Sequence, residues 1–279
     1  MKKIFILCFT WFFSAQVLAE TYQIFMPLGP GAPTEVMVRK MVATAEKITN
    51  DKFIVINKPG SEFVIAYQEF LREGQRNKNV IFYNQAGFSV TTGRPEYAAL
   101  NLRPLQEVKG LITILSHDLL LVTKKDGPLK TLSDVRGKLN VSYVGSTGKL
   151  MLDKLQSADP DVQMIAYKTD TQSATAILSN EVQAGVILDF GPAYLGNRDN
   201  LLVLSDSKKM TNTTTAFGFS VHQSMPDSKV TELNQLFNKV FNDPEFSTWF
   251  VNTYRKRPHG GSPQEFDRLI MDYHKTVVK

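Results

Sequence analysis

Short runs of β-branched and aromatic residues alternate with stretches of helical periodicity, and this alternation constrains the fold more than any other feature. Residues 22–26 read as a strand. Residues 33–48 read as a helix with Met37, Met41, Ala45 and Ile48 on one face. A second strand at 53–56, a helix at 66–73 and a third strand at 80–83 complete a β-α-β-α-β series. Parallel strands need a crossover between them, and a helix is the usual one, so the series predicts a parallel sheet with helices on its faces. Two close apolar runs follow, 111–115 and 119–123. The alternation then resumes as strand 139–144, helix 150–156, strand 162–167, helix 172–178, and strands 186–188 and 201–204. Residues 213–221 are again β-rich.

The tail is helical. Leu233, Leu236, Phe237, Val240 and Phe241 recur at helical spacing, and Asn242-Asp243-Pro244 breaks that helix. The next carries Phe246, Trp249, Phe250 and Tyr254. A last helix starts near Ser262-Pro263, with Phe266, Leu269, Ile270 and Tyr273 as its buried face. These aromatics read as core packing. The predicted layout is a discontinuous first lobe, 20–117 with 220–279, and an inserted second lobe, 118–219. Two crossings between lobes make a hinge, and a cleft between lobes is a favoured place for a small ligand.

The amino terminus addresses the compartment. Lys2 and Lys3 precede an apolar run at 4–13, and Val17-Leu18-Ala19 supplies a compact cleavage context. This order predicts a secretory signal peptide over residues 1–19, and hence a periplasmic product. The competing reading, an uncleaved membrane helix, meets Ser14 and Gln16 where about 20 apolar residues are needed. Cys8, the one cysteine, falls inside the segment. The remaining residues, about 260, hold enough chain for two cores, and they exclude disulfides, a thiol nucleophile and a cysteine-based metal site. The formal charge of +5 loses two lysines with the leader. The densest basic cluster, Arg255-Lys256-Arg257, reads as a solvated helix end, and no nucleic-acid partner is expected.

The candidate chemistry lies in loops between strands and helices. Residues 27–35, Pro-Leu-Gly-Pro-Gly-Ala-Pro-Thr-Glu, follow the first strand. Gly29 and Gly31 let backbone approach a ligand. Pro30, Ala32, Pro33 and Thr34 lead into a helix whose free N–H groups and positive dipole end favour an anion. Gly145, Ser146, Thr147 and Gly148 form a second such loop, in the other lobe. Gly148-Lys149 invites a phosphate-loop reading, but Tyr143 stands where its first glycine belongs and Leu150 replaces the magnesium-binding hydroxyl. Tyr167-Lys168-Thr169-Asp170 is a third candidate loop, with Thr169 its expected ligand contact and helix capping by Thr169 or Asp170 the competing role. Asp189, after a strand, could accept a hydrogen bond from a ligand hydroxyl or ammonium, or be a turn aspartate. His117, His222, His259 and His274 are isolated, with no metal-ligand spacing, and no nucleophile elbow occurs. No catalytic residue, metal or cofactor is expected.

These residues resemble the Bug (TctC-like) solute-binding proteins of tripartite tricarboxylate transporters. That family's Pro-x-x-Pro-Gly-Gly-x-x-Asp-x-x-x-Arg pattern is matched by Pro27, Pro30, Gly31, Ala32, Glu35 and Arg39 at the same spacing. Its Asn-x-Pro-Gly appears as Asn57-Lys58-Pro59-Gly60, and its Tyr-Lys-Gly as Tyr167-Lys168-Thr169. Asp243-Pro244-Glu245-Phe246 and Ser262-Pro263-Gln264-Glu265-Phe266 are similar to its closing helices. Ala32, Glu35 and Thr169 depart from the pattern, each in a loop near the expected ligand.

The resemblance implies an α/β, two-lobed periplasmic-binding-protein fold of type II-like form, each lobe a mostly parallel sheet flanked by helices. It also implies capture of a small organic anion, a carboxylate, and its delivery to the membrane permease subunits of a secondary transporter; separately, a monomer is expected. Two alternatives use the same fold: a ligand sensor or scaffold feeding a membrane receptor, and a periplasmic enzyme.

Overall fold

The computed structural model describes residues 19–207 and 215–278; the expected signal peptide up to Leu18, with Cys8, lies outside the described residues. The alternation becomes β1 (Thr21–Met26), α1 (Pro33–Ile48), β2 (Lys52–Asn57), α2 (Val64–Gly74) and β3 (Val80–Gln85). β1 lies between β2 and β3, parallel to both, with Ile24 opposite Val55 and Ile81. Met37, Met41 and Ala45 of α1 are buried against this sheet. Ile48, expected on the same face, is exposed at the last residue of the helix.

β4 (Val108–His117) and β5 (Leu119–Lys124) follow with only Asp118 between them, and each enters a different sheet. The second sheet adds β6 (Asn140–Tyr143), α3 (Gly145–Ala158), β7 (Gln163–Ala166), α4 (Asp170–Leu178), β8 (Ala184–Leu188) and β9 (Leu201–Val203). β10 (Thr215–His222) returns to the first sheet. Residues 213 and 214, the start of that predicted β-rich stretch, lie outside the described residues. The tail forms α5 (Asp227–Asn242), α6 (Pro244–Tyr254) and α7 (Pro263–Val277).

The two five-stranded sheets share one plan. Their orders are β2-β1-β3-β10-β4 and β7-β6-β8-β5-β9. In each, three strands joined by helices are parallel, and two added strands pair antiparallel: β10 and β5 run against the parallel set, and β4 and β9 against them. The sheets are therefore mixed. The antiparallel members, β4, β5, β9 and β10, are those that carry the chain between sheets.

Strand alternation divides the second core. Leu121 packs with Val141, Met151, Leu152 and Val186 on the α3 side, while Leu120 and Val122 pack with Ala176 and Ile177 on the α4 side. A sheet covered on both faces needs apolar residues in both registers, which is why residues 119–122 form an unbroken apolar run. The first core is rich in rings. Tyr67, Phe70, Phe82 and Phe88 pack with centroids 4.9–5.9 Å apart. Phe246, Phe250, Tyr254, Phe266 and Tyr273 of the tail are buried as well.

α3 begins at Gly145, five residues before the helix predicted at 150. Glycine and serine are weak helix formers, so the run 145–148 reads as loop although it makes the first helical turn. Among the described residues, no helix is long and apolar enough to cross a membrane.

Candidate functional site: the cleft between the sheets

One cleft receives residues from both sheets. Leu28 follows β1, Gln85 ends β3, Val144 follows β6, Lys168 follows β7 and Leu188 ends β8; all line it. The carboxyl ends of parallel strands are where open α/β sheets gather ligands. The cleft narrows to a cavity of about 30 Å³, room for only one or two water-sized groups. Larger grooves of about 420 and 500 Å³ lie on the second sheet's outer surface, but residues of one lobe alone line them.

The first wall is the start of α1. Ala32 occupies the N-cap with extended backbone and offers no side-chain cap, and Pro33 opens the helix. The N–H groups of the first turn are thus left without side-chain partners, at the positive end of the helix dipole. Ala32, Pro33 and Thr34 line the cleft; Gly29, Pro30 and Gly31 do not.

These three residues belong to a pinned turn behind the wall. Gly31, at φ +83°, donates its N–H to Glu35 Oε2 at 3.1 Å. Arg39 Nε donates to the other oxygen of Glu35, and Arg39 Nη2 reaches Asn57 Oδ1 at 2.9 Å. Asn57 Nδ2 in turn holds the Leu28 carbonyl at 2.8 Å. The spacing Gly31, Glu35, Arg39 and Asn57 is therefore a clamp on loop geometry. Glu35 is buried, and the longer glutamate still reaches the loop amide.

The second wall is the start of α3, again without a side-chain cap. Gly145, Thr147 and Gly148 line the cleft; the Ser146 side chain lies outside what is described. Thr147 is buried and donates from Oγ1 to Gln85 Oε1 at 3.3 Å, joining the two lobes. Gln85 also contacts the buried Tyr83 hydroxyl at 3.4 Å. Behind these, Ser61, Glu62 and Phe63 have φ of +43°, +50° and +83°, a left-handed run without glycine. Such backbone costs on the order of 1–3 kcal/mol per residue and collects at functional sites. It puts the Phe63 ring into the cleft and Glu62 within 2.8 Å of Arg94.

The third wall is the start of α4, and it is closed. Thr169 accepts from the Gln172 N–H at 3.2 Å, so it caps the helix while lining the cleft. Asp170, next to it, is buried and lines the cleft too. Burial raises its carboxyl to about 6, against the opposing backbone N–H groups of Leu188 and of Asp170 itself. His117, at the end of β4, is wedged between Phe190 and Phe217 at 5.3 and 5.2 Å. Burial lowers its imidazole to about 3, helped by Lys256, so the ring is neutral; its Nδ1 is buried without a partner.

Asp189 stands apart. It is not among the lining residues, and Lys256 Nζ bridges to its Oδ2 at 2.7 Å. Burial raises its carboxyl, and Lys256 opposes the rise. The sequence does not single out Gln85 or Phe63 as cleft residues, and it marks Asp170 only as part of the third candidate loop, as a possible cap. Gln85 and Asp170 were marked only by position, each just beyond a parallel strand. Phe63 carried no local signal, because its left-handed backbone follows from packing.

Other polar constellations lie outside the cleft lining. His222 Nδ1 is 2.7 Å from Ser224 Oγ at the far end of β10. Ser116, His259 and Glu265 form an exposed chain of 3.0 and 3.1 Å contacts. Among the described residues, no group of carboxylates and histidines is arranged to hold a metal ion.

No protein-family model matches the chain. A UPF0065 protein from the gbd 5′ region of Cupriavidus necator is 27% identical over 165 residues, covering 55% of this chain and 49% of that protein. The chain thus aligns to about half the length of this curated relative. Solved structures align over almost the whole fold. The periplasmic binding protein BugD gives a TM-score of 0.75 at 14% identity, covering 92% of this chain and 95% of its own. MatC from Rhodopseudomonas palustris, with bound malate, gives 0.75 at 15% identity, covering 93% and 99%. Rpa4515 of the same organism, with adipate, gives 0.73 at 16%, covering 93% and 96%. The fold is the two-lobed fold of periplasmic binding proteins, and the likeness falls in the same Bug and TctC group that the sequence motifs resemble.

Proposed function

We propose that this chain is an extracytoplasmic solute-binding protein that captures a small organic carboxylate between its lobes and presents it to membrane permease subunits. The observation that carries the reading is the convergence of two uncapped helix starts, α1 and α3, on one cleft from different sheets. A carboxylate completes such a helix end by accepting its free N–H groups. The structural relatives hold malate and adipate, which supports a carboxylate as the ligand class. The second crossing precedes β10, whose residues from Thr215 onward pair in the first sheet, so the expected boundary at 219 moves toward the amino terminus. The lobes would part at Asp118 and at the connection between β9 and β10 to admit a ligand, since about 30 Å³ is too small for an organic acid. Residues 1–19 would direct export to the periplasm, where the protein acts as a carrier with no chemical step.

The test is a thermal-shift screen of the exported protein against mono-, di- and tricarboxylates, acidic amino acids and phosphate. Calorimetry would follow on each hit. A ligand at 100 times its Kd adds about 2.7 kcal/mol of stability, a readily measured rise in Tm. A shift confined to carboxylates is the expected result. A well-folded sample that responds to no anion would overturn the reading.

A further inference from the structure

We propose that Asp170 makes the cleft select carboxylates that also carry a hydrogen-bond donor, an amino or hydroxyl substituent, over unsubstituted ones. This rests on the carboxylate-binding reading and names the ligand class within it. Three helix starts line the cleft, and they are not equivalent. Those of α1 and α3 have no side-chain cap, whereas α4 is capped by Thr169 and carries Asp170 in its first turn. Asp170 is buried and lines the cleft, and among the described residues it forms no ion pair. Lys168, the one cationic residue in the described lining, is exposed.

A carboxylate has about four acceptor positions. The N–H groups of Leu188 and Asp170 favour its charged form, and no side-chain donor bonds it among the described residues, so acceptor capacity remains. His117 is neutral, Gln85, Thr34 and Thr147 are uncharged, and Lys168 is exposed, so no buried cation in the described lining would offset the charge. An ammonium or hydroxyl on the ligand would supply that donor. A methylene in its place would leave the buried acceptor unpaired, and a carboxylate there would be repelled. Asp189 does not share this role: it lies outside the lining, with Oδ2 paired to Lys256.

The test uses matched acids that differ only in one substituent: propanoate, lactate and alanine; succinate, malate and aspartate; glutarate, 2-hydroxyglutarate and glutamate. Kd values are measured by calorimetry for the wild type, Asp170→Asn and Asp170→Ser. In whichever series binds, the amino or hydroxy member should bind the wild type about tenfold or more tighter than the unsubstituted acid. Both variants should shrink that ratio about tenfold, with the unsubstituted acid gaining affinity. A purely structural Asp170 would weaken all members together, leaving the ratio unchanged, and that result would overturn the inference alone. Preference of the wild type for the unsubstituted acid would do the same. Failure of every acid to bind any of the three folded proteins would overturn both readings. The serine variant keeps an acceptor at the helix start, so a misfolded asparagine variant would not stop the test.

Discussion

Asp170 carries a stability signature as well as a recognition role. Its carboxyl sits at about 6 in the folded protein against an ordinary 3.8, because burial penalises the charge. Between those values the folded state keeps a proton that the unfolded chain has released. Stability therefore falls as pH rises through that window and is lowest above it. A displacement of about two pH units corresponds to about 3 kcal/mol. Asp170→Asn should raise Tm at pH 7.5 and leave it nearly unchanged at pH 3.5; an equal effect at both would contradict a buried charge. A second residue-scale test concerns Gly185, whose added Cβ would stand 2.0 Å from Ser142 Oγ and 2.8 Å from Ile177. Gly185→Ala should destabilise the protein by about 1–3 kcal/mol in a denaturant titration, since close-packed sheet and helix have no room to shift.

Helices divide into those that close their own ends and those that leave them open. α6 and α7 are capped by Asp243 and Ser262, which accept from Phe246 and Glu265 N–H groups at 2.8 and 3.2 Å. Asp243→Ala should cost about 1 kcal/mol of stability and leave ligand affinity unchanged, as both denaturation and calorimetry would report. α1 lacks a side-chain cap at the cleft. Ala32→Asp should add about 1 kcal/mol of stability by capping α1, yet weaken carboxylate binding at least about tenfold, because the new carboxylate occupies the ligand's amides. Unaltered affinity in that variant would remove the α1 start from the site. The motif spanning Pro30 to Arg39 belongs to this scale too. Its glutamate and arginine shape the turn that presents the helix end, and they do not line the cleft.

The whole molecule is held in its present arrangement by contacts across the lobes. Arg94 bridges Glu62 at 2.8 Å and Asp153 of α3 at 2.6 Å, and Lys256 bridges Asp189 at 2.7 Å. Gly87 lies against Thr147, so an added Cβ would come within 2.5 Å of Thr147 Oγ1 and 3.1 Å of its backbone Cα. Gly87→Ala should leave each lobe folded but hinder closure, raising Kd with little change in the Tm of the free protein. Small-angle scattering with saturating ligand should then report a more open particle than the wild type. A variant that binds and closes normally would show that the lobes need not approach this far.

Hydrophobic period and turn chemistry lie along the chain, and the sequence by itself determined what depends on them: two α/β units, helices broken at Asn242-Asp243-Pro244 and Ser262-Pro263, aromatics in the core, and loops at strand ends as the place for a ligand. The Pro30 to Arg39 spacing and the Tyr-Lys pair further pointed to a two-lobed binding fold. Only the tertiary structure decided which polar groups face the cleft. Asp170 and Asp189 both stand just past strand ends, where the sequence offers the first as a helix cap and the second as a ligand acceptor. Lys256, 67 residues from Asp189, answers one charge, while the other is buried with no ion-pair partner among the described residues. Likewise Gln85 meets Thr147 from 62 residues away, and Phe63 reaches the cleft through backbone that packing alone holds left-handed. Charge compensation and strain are properties of spatial neighbours, and chain order does not encode who those neighbours are.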